Sequence, residues 1–159
     1  MAKIERKYLA HFMNATPKST PSYERLGKDL EELNVEMNAE IETKQNINGE
    51  NSTNLSGYSP QASVEPFYAD KDSAFFDFLQ DIADNRKVLD DAKTDALEVH
   101  LWEESGGSYV AYRETAIIEF VSYGGNTTGY QITFNVHYQG DRVKGTFDPE
   151  TKTFTEASA

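Results

Sequence analysis

Leu33-Asn34-Val35-Glu36-Met37-Asn38-Ala39-Glu40-Ile41 alternates strictly between apolar and polar residues. A period of two places Leu33, Val35, Met37, Ala39 and Ile41 on one face of a strand and Asn34, Glu36, Asn38 and Glu40 on the other. Glu42 extends the acidic face and Glu32 precedes it. From Gln45 to Pro60 the chain is rich in Asn, Ser and Gly, with too few charges of one sign for a disordered tail. Gln61 to Tyr68 then reads as extended, with Ala62, Val64 and Pro66 on one face. Two strands joined by so long a polar excursion predict an extended loop or hairpin arm over about 44–60. Long loops in compact domains carry function or are disordered, and the expectation here is an assembly device.

The rest of the chain sets the bounds. Its 159 residues fit one domain with a sizeable core, expected to span 1–159 with a leader at 1–7 and a mobile tail at 156–159. Fifteen basic against 27 acidic residues leave a net charge of −12, which supplies no basic face for gripping phosphates. An acidic surface suits a wall that DNA passes without sticking. Cysteine is absent, so disulfides and thiolate metal sites are excluded. No apolar run approaches the roughly 20 residues of a membrane span. Lys3, Arg6 and Lys7 are followed by no apolar segment, so no signal peptide is expected and synthesis is expected in the cytosol.

Tyr8 to Phe12 is a candidate strand, Asn14 to Tyr23 a loop carrying Pro17 and Pro21, and Tyr23 to Glu32 a helical turn or loop. The best helix covers about 71–86, capped by Asp70 or Asp72. Phe75, Phe76, Phe78, Leu79, Ile82 and Ala83 share one side of it. Such a stripe laid on a sheet predicts a cost of about 3–5 kcal/mol for Phe78→Ala. Beyond it the chain reads as strands: Leu97 to Trp102, Tyr109 to Arg113, Ala116 to Val121, Tyr130 to Tyr138, Val143 to Phe147, and an edge strand at Lys152 to Thr155. Glu104 to Ser108 and Gly124 to Gly129 read as turns, and Gly140-Asp141 fits the centre of a II′ hairpin. The fold class is therefore mainly β: an antiparallel sandwich or barrel of roughly seven to nine strands with one flanking helix.

Several segments, in this order, resemble the tail tube (major tail) proteins of tailed phages and prophages of Gram-positive bacteria. They are Lys7-Tyr8-Leu9-Ala10-His11-Phe12, Tyr23 to Asn34, Gly57-Tyr58-Ser59-Pro60-Gln61, Phe67-Tyr68-Ala69-Asp70, Tyr123-Gly124-Gly125-Asn126-Thr127 and Gly145-Thr146-Phe147-Asp148. The similarity spans about residues 7 to 148, and its motifs are structural rather than chemical. It implies a β-sandwich or barrel with a flanking helix, assembled into hexameric rings that stack into a hollow conduit for DNA ejection. In that family sheets of neighbouring subunits merge around the lumen and a long loop contacts the next ring. The implied partners are further copies of the chain and other tail proteins (tape measure, tail terminator, baseplate or tip), with DNA in non-specific transit and no membrane. The implied location is a virion tail assembled in the bacterial host cytoplasm.

Within that frame Gln45, Asn46, Asn48, Asn51, Asn54 and Tyr58 are the candidate ring-stacking residues, and Glu36, Glu40 and Glu42 the candidate lumen-facing acids. A mobile surface loop and a solvated outer face are the plainer readings of the same residues. His11, His100 and His137 are scattered, with no metal-ligand spacing, nucleophile elbow or phosphate-cradling loop. No catalytic residue, metal or cofactor is therefore expected. The competing reading is a small acidic binding module that recognises a glycan or peptide through Trp102 with Tyr109 and Tyr112, since aromatic residues are enriched at interfaces.

Overall fold

A computed structural model describes residues 2–157. It holds ten strands and one α-helix. In chain order these are β1 (Leu9–Asn14), β2 (Tyr23–Arg25), β3 (Val35–Glu36), β4 (Glu40–Gln45), β5 (Asn51–Gly57), β6 (Gln61–Tyr68), α1 (Ala74–Asn85), β7 (Lys93–Ser105), β8 (Ser108–Asn126), β9 (Gly129–Asp148) and β10 (Thr153–Glu156). Eight strands form one antiparallel sheet in the order β2-β1-β7-β8-β9-β6-β3, with β10 also on β9. β4 and β5 form a separate two-stranded sheet. The architecture is mainly β, antiparallel and sandwich-like, as the alternating patterns predict.

β8 and β9 run side by side almost from end to end, and their pairing shifts twice, between Arg113 and Thr115 and between Phe120 and Ser122. Arg113 faces Val143 and Thr115 faces Gln139, so Glu114 alone stands opposite Gly140-Asp141-Arg142. Gly140 takes φ +77° there, a conformation glycine adopts without a Cβ penalty. The II′ hairpin read at Gly140-Asp141 is thus a bulge inside one strand. Gly124 to Asn126 also stay in strand β8, and Thr127-Thr128 alone make the turn into β9.

On one side of the bulge, β9 pairs with β6. Met13, Val64, Ala116, Ile118, Ile132, Phe134 and Val136 pack there beneath α1. On the other side β9 pairs with β10, and Phe12, Tyr23, Leu97, Val99, Ala111 and Phe147 make a second core. Phe12 and Phe147 meet with ring centroids 4.6 Å apart. A Cβ at Gly145 would sit 2.2 Å from the Thr155 carbonyl oxygen, so glycine lets β10 close over this core with Phe154. Glu156, expected in a mobile tail, pairs with Gly145, while residues 158 and 159 and Met1 of the expected leader lie outside the described residues.

α1 begins at Ser73, not at Asp70 or Asp72. The Ser73 hydroxyl accepts from the Phe76 amide at 3.1 Å. Glu24 of β2 reinforces this cap, accepting from Ser73 Oγ at 2.5 Å and from the Phe75 amide at 2.9 Å. A carboxylate suits a helix N-terminus because the free amides there carry partial positive charge. Tyr23 to Glu32, expected as a helical turn or loop, thus contributes a strand residue that locks the helix onto the sheet. Phe75 and Leu79 are fully buried, and Phe75 meets Phe134 edge-on at 5.8 Å. Phe78 lies only half-buried at the margin of the stripe.

The largest cost on the helix therefore falls on Phe75. Phe75→Ala is expected to remove about 3–5 kcal/mol of unfolding free energy in urea titrations, and Phe78→Ala distinctly less.

Candidate functional site

Leu33 to Ile41 is two elements, not one strand. Val35 and Glu36 pair with Ala62 and Gln61 of β6. Pairing then stops, and Asn38 takes a left-handed φ of +47°, which Asn tolerates better than most residues. The chain leaves the large sheet at this point and returns at Ser59. The Ser59 amide donates to the Met37 carbonyl at 3.0 Å, and Asn38 Nδ2 donates to the Ser59 carbonyl at 3.0 Å, closing the base of the excursion. Alternation carried the apolar face through to Ile41, yet Met37 is 50% and Ile41 66% exposed.

The excursion is a hairpin, Glu40–Gly57. Its tip is organised by Asn46, whose Oδ1 accepts from the Asn48 amide at 2.9 Å and the Glu50 amide at 3.0 Å. Asn46 Nδ2 donates to Glu50 at 3.1 Å, and Gln45 Nε2 to the Gly49 carbonyl at 3.3 Å. Asn51 and Asn54 lie on β5 opposite Gln45 and Glu42, and Tyr58 follows it, exposed. Gln45, Asn46 and Asn48 are thus gathered at the tip, Asn51 and Asn54 on the shaft, and Tyr58 at the base. Ile41 and Leu55 face each other across the strands, as do Thr43 and Thr53, while Glu42 and Lys44 form an ion pair at 3.3 Å on the opposite face. Of the exposed apolar members Ile41, Ile47 and Leu55, the sequence reading named only Ile41, as part of the apolar strand face. Ile47, flanked by Asn46 and Asn48, was the available signal.

Glu36 is on the large sheet and Glu40 and Glu42 are on the arm, so the structure does not align the three candidate lumen acids along one strand. Glu36 shares a solvated face with Gln61 and His137, which lie in cross-strand register. Ser63 donates to Asn135 Oδ1 at 2.7 Å, and Glu119 bonds His137 at 2.6 Å. That bond holds the Glu119 carboxyl below its usual range.

A polar cluster not anticipated from sequence sits beside the β9 bulge. Arg142 reaches Glu98 at 2.9 Å and Glu114 at 3.4 Å, and its guanidinium lies 4.3 Å from the Tyr112 ring centre. Burial pushes Glu98 up, but hydrogen bonds from His100 and Arg142 outweigh it and the net shift is downward. Burial raises Glu114, with the Glu98 charge adding to the effect. Trp102 stacks on His100 at 4.5 Å and is 40% exposed. Tyr112 is beside them, but Tyr109 packs against the second core. The aromatic platform expected from Trp102, Tyr109 and Tyr112 therefore lacks Tyr109.

His11 in β1 is buried, and its Nε2 has no hydrogen-bond partner among the described residues. Burial, reinforced by the charges of Arg6 and Arg25, lowers its pKa from 6.5 to about 4, with Glu98 opposing. Among the described residues no group of three or more His, Asp or Glu side chains is arranged to hold a metal ion, and no helix is long and apolar enough to cross a membrane.

No protein-family model matches the chain, and no curated protein matches it. Its fold does have a counterpart among solved structures, a chain from the tail of an empty GTA particle determined by helical refinement with C6 symmetry. The two superpose with a TM-score of 0.62 over 96% of this chain and 99% of that one, at 14% identity. This chain shares that fold.

Two outcomes are expected. Asn46→Ala removes the bonds that shape the arm tip, so limited proteolysis should cleave within 45–51 several-fold faster while the unfolding free energy from urea titration changes by less than about 0.5 kcal/mol. For His11, the unfolded chain gains a proton below pH 6.5 that the folded chain refuses until about pH 4. Its share of stability is thus lost as pH falls through that window, on the order of 3 kcal/mol when complete. The pH dependence of unfolding, measured in urea from pH 7 to 4.5, should be shallower in His11→Gln than in the parent.

Proposed function

We propose that this chain is the repeating structural subunit of a tail tube, and that it works by self-association rather than catalysis. One observation carries the reading: the arm is a complete hairpin whose shaft is wholly exposed. Every residue from Glu40 to Ser56 is exposed, and two-stranded hairpins are marginal in water without a surface to pack against. Exposed Met37, Ile41, Ile47, Leu55 and Tyr58 give this arm the means to dock. Support comes from the shared fold, since the solved counterpart belongs to a tail with C6 symmetry. The resemblance in sequence order adds to it, and the Gram-positive affiliation rests on that resemblance alone.

On this reading copies assemble into hexameric rings, and the arm of each subunit, with Gln45, Asn46, Asn48, Asn51, Asn54 and Tyr58, bridges to the next ring. The face carrying Glu36, Gln61, Ser63, Glu119 and Asn135 is the candidate lumen wall. Its carboxylates and the net charge of −12 repel phosphate, so DNA passes during ejection without adhering. Glu40 and Glu42 belong to the arm's docking surface. The ends of such a tube require other tail proteins as partners: a tape measure, a terminator, and a baseplate or tip. The location is the virion tail, built in the host cytoplasm.

Negative-stain electron microscopy of the concentrated protein tests the proposal, with Ile41→Asn/Leu55→Asn alongside. The parent should form rings or hollow tubes. The variant should keep its urea midpoint, because both side chains are already exposed, and lose most of the assembled fraction in sedimentation. A variant that assembles like the parent would show that the arm does not bridge subunits.

A further inference from the structure

A cavity of about 540 Å³ opens between β1 and the segment 25–33. Four cations line it, Arg6, Lys7, Arg25 and Lys28, against two carboxylates, Glu31 and Glu32. Lys7 is paired with Glu5 and Lys28 with Asp70. Arg6 and Arg25 have no carboxylate within ion-pair distance among the described residues. They donate only to carbonyl oxygens, Arg6 to Leu9 at 2.6 Å and Leu33 at 2.9 Å, and Arg25 to Lys7 at 2.8 Å. Two guanidiniums without a carboxylate partner are unexpected in a chain with 27 acidic residues. His11 also lines this cavity, and its buried Nε2 has no hydrogen-bond partner among the described residues.

The geometry points to a carboxylate-binding site, and we infer that its occupant is the acidic arm of a second copy, presenting Glu40 and Glu42 to Arg6 and Arg25. This rests on the proposed tube reading and adds the receptor for the arm. Charge decides the occupant. Every residue of the arm from Glu40 to Ser56 is exposed, and among the described residues Glu40 has no ion-pair partner while Glu42 has only an exposed Lys44 beside it. A guanidinium takes a carboxylate through two parallel hydrogen bonds, which fixes orientation as well as affinity.

Because the chain contains no cysteine, the contact can be trapped without background. Full-length Lys28→Cys protein is mixed with full-length Glu42→Cys protein at increasing concentration and oxidised. A mixed disulfide dimer should form, and Arg6→Gln/Arg25→Gln in the Lys28→Cys chain should lower its yield roughly tenfold, the loss of one to two charge-assisted bonds. Circular dichroism confirms that the variant is folded. Absence of the mixed dimer at all concentrations would overturn the inference, as would a yield indifferent to Arg6→Gln/Arg25→Gln. Suppression of the dimer by millimolar phosphate is expected of a site that reads anionic oxygens. Hollow tubes without the 28–42 cross-link would leave the tube reading standing and refute this docking site. The cross-link without tubes would do the reverse.

Discussion

Everything in this fold depends on the pairing of β8 with β9. Two strands that long cannot serve one compact core. The register shift at Glu114, opposite Gly140-Asp141-Arg142, divides them between two. Before it, β9 lies between β8 and β6 beneath the helix; after it, between β8 and β10. The bulge is also where Arg142 enters, tied to Glu98 and Glu114. The guanidinium opposes the desolvation of both carboxylates: with His100 it outweighs it at Glu98, while Glu114 stays raised. The change of core thus coincides with a polar clamp, which keeps the bulge from slipping by a residue and inverting every side chain beyond it.

A sheet with its interior so fully used leaves the arm to be explained by something outside the chain. Main-chain pairing between β4 and β5 holds the hairpin together, and Asn46 shapes its tip, but no side chain of its shaft is buried. Hydrophobic stabilisation scales with area removed from water, so Ile41 and Leu55 contribute little until another surface covers them. Exposed apolar side chains beside open strand edges are a liability in a lone subunit and an asset in a symmetric assembly. The cationic cavity at Arg6 and Arg25 is the complementary anomaly: positive charge concentrated in an acidic molecule.

Much of the fold was legible because the alternating runs were long. Tyr130 to Tyr138, Leu97 to Leu101 and the stripe of α1 each announced a period, and the edge strand read at Lys152 to Thr155 is β10. The failures share a cause. Glycine at positive φ serves a bulge as well as a turn, so Gly140 could not be told from a hairpin centre without knowing that β8 extends far enough to pair on both sides. The break at Asn38 is hidden for a similar reason, because a period of two continues through a residue whose backbone has left the sheet. Tyr23 to Arg25 is too short for a pattern, and Glu24 acts on a helix whose N-cap lies 49 residues downstream. Of the candidate site, the arm's polar residues were visible in composition. Its apolar docking face and the pairing state of Arg6, Arg25 and His11 were not, since burial and ion pairing belong to the tertiary structure.

Hydrogen–deuterium exchange of the arm, followed by mass spectrometry from dilute subunit to concentrated protein, tests the central claim most directly. Amides of 40–57 should exchange rapidly in dilute solution, well ahead of those in β8 and β9, and become strongly protected as the protein assembles. Rapid exchange of the arm persisting in assembled particles would contradict the account, because the hairpin would then be unpartnered where it is supposed to act.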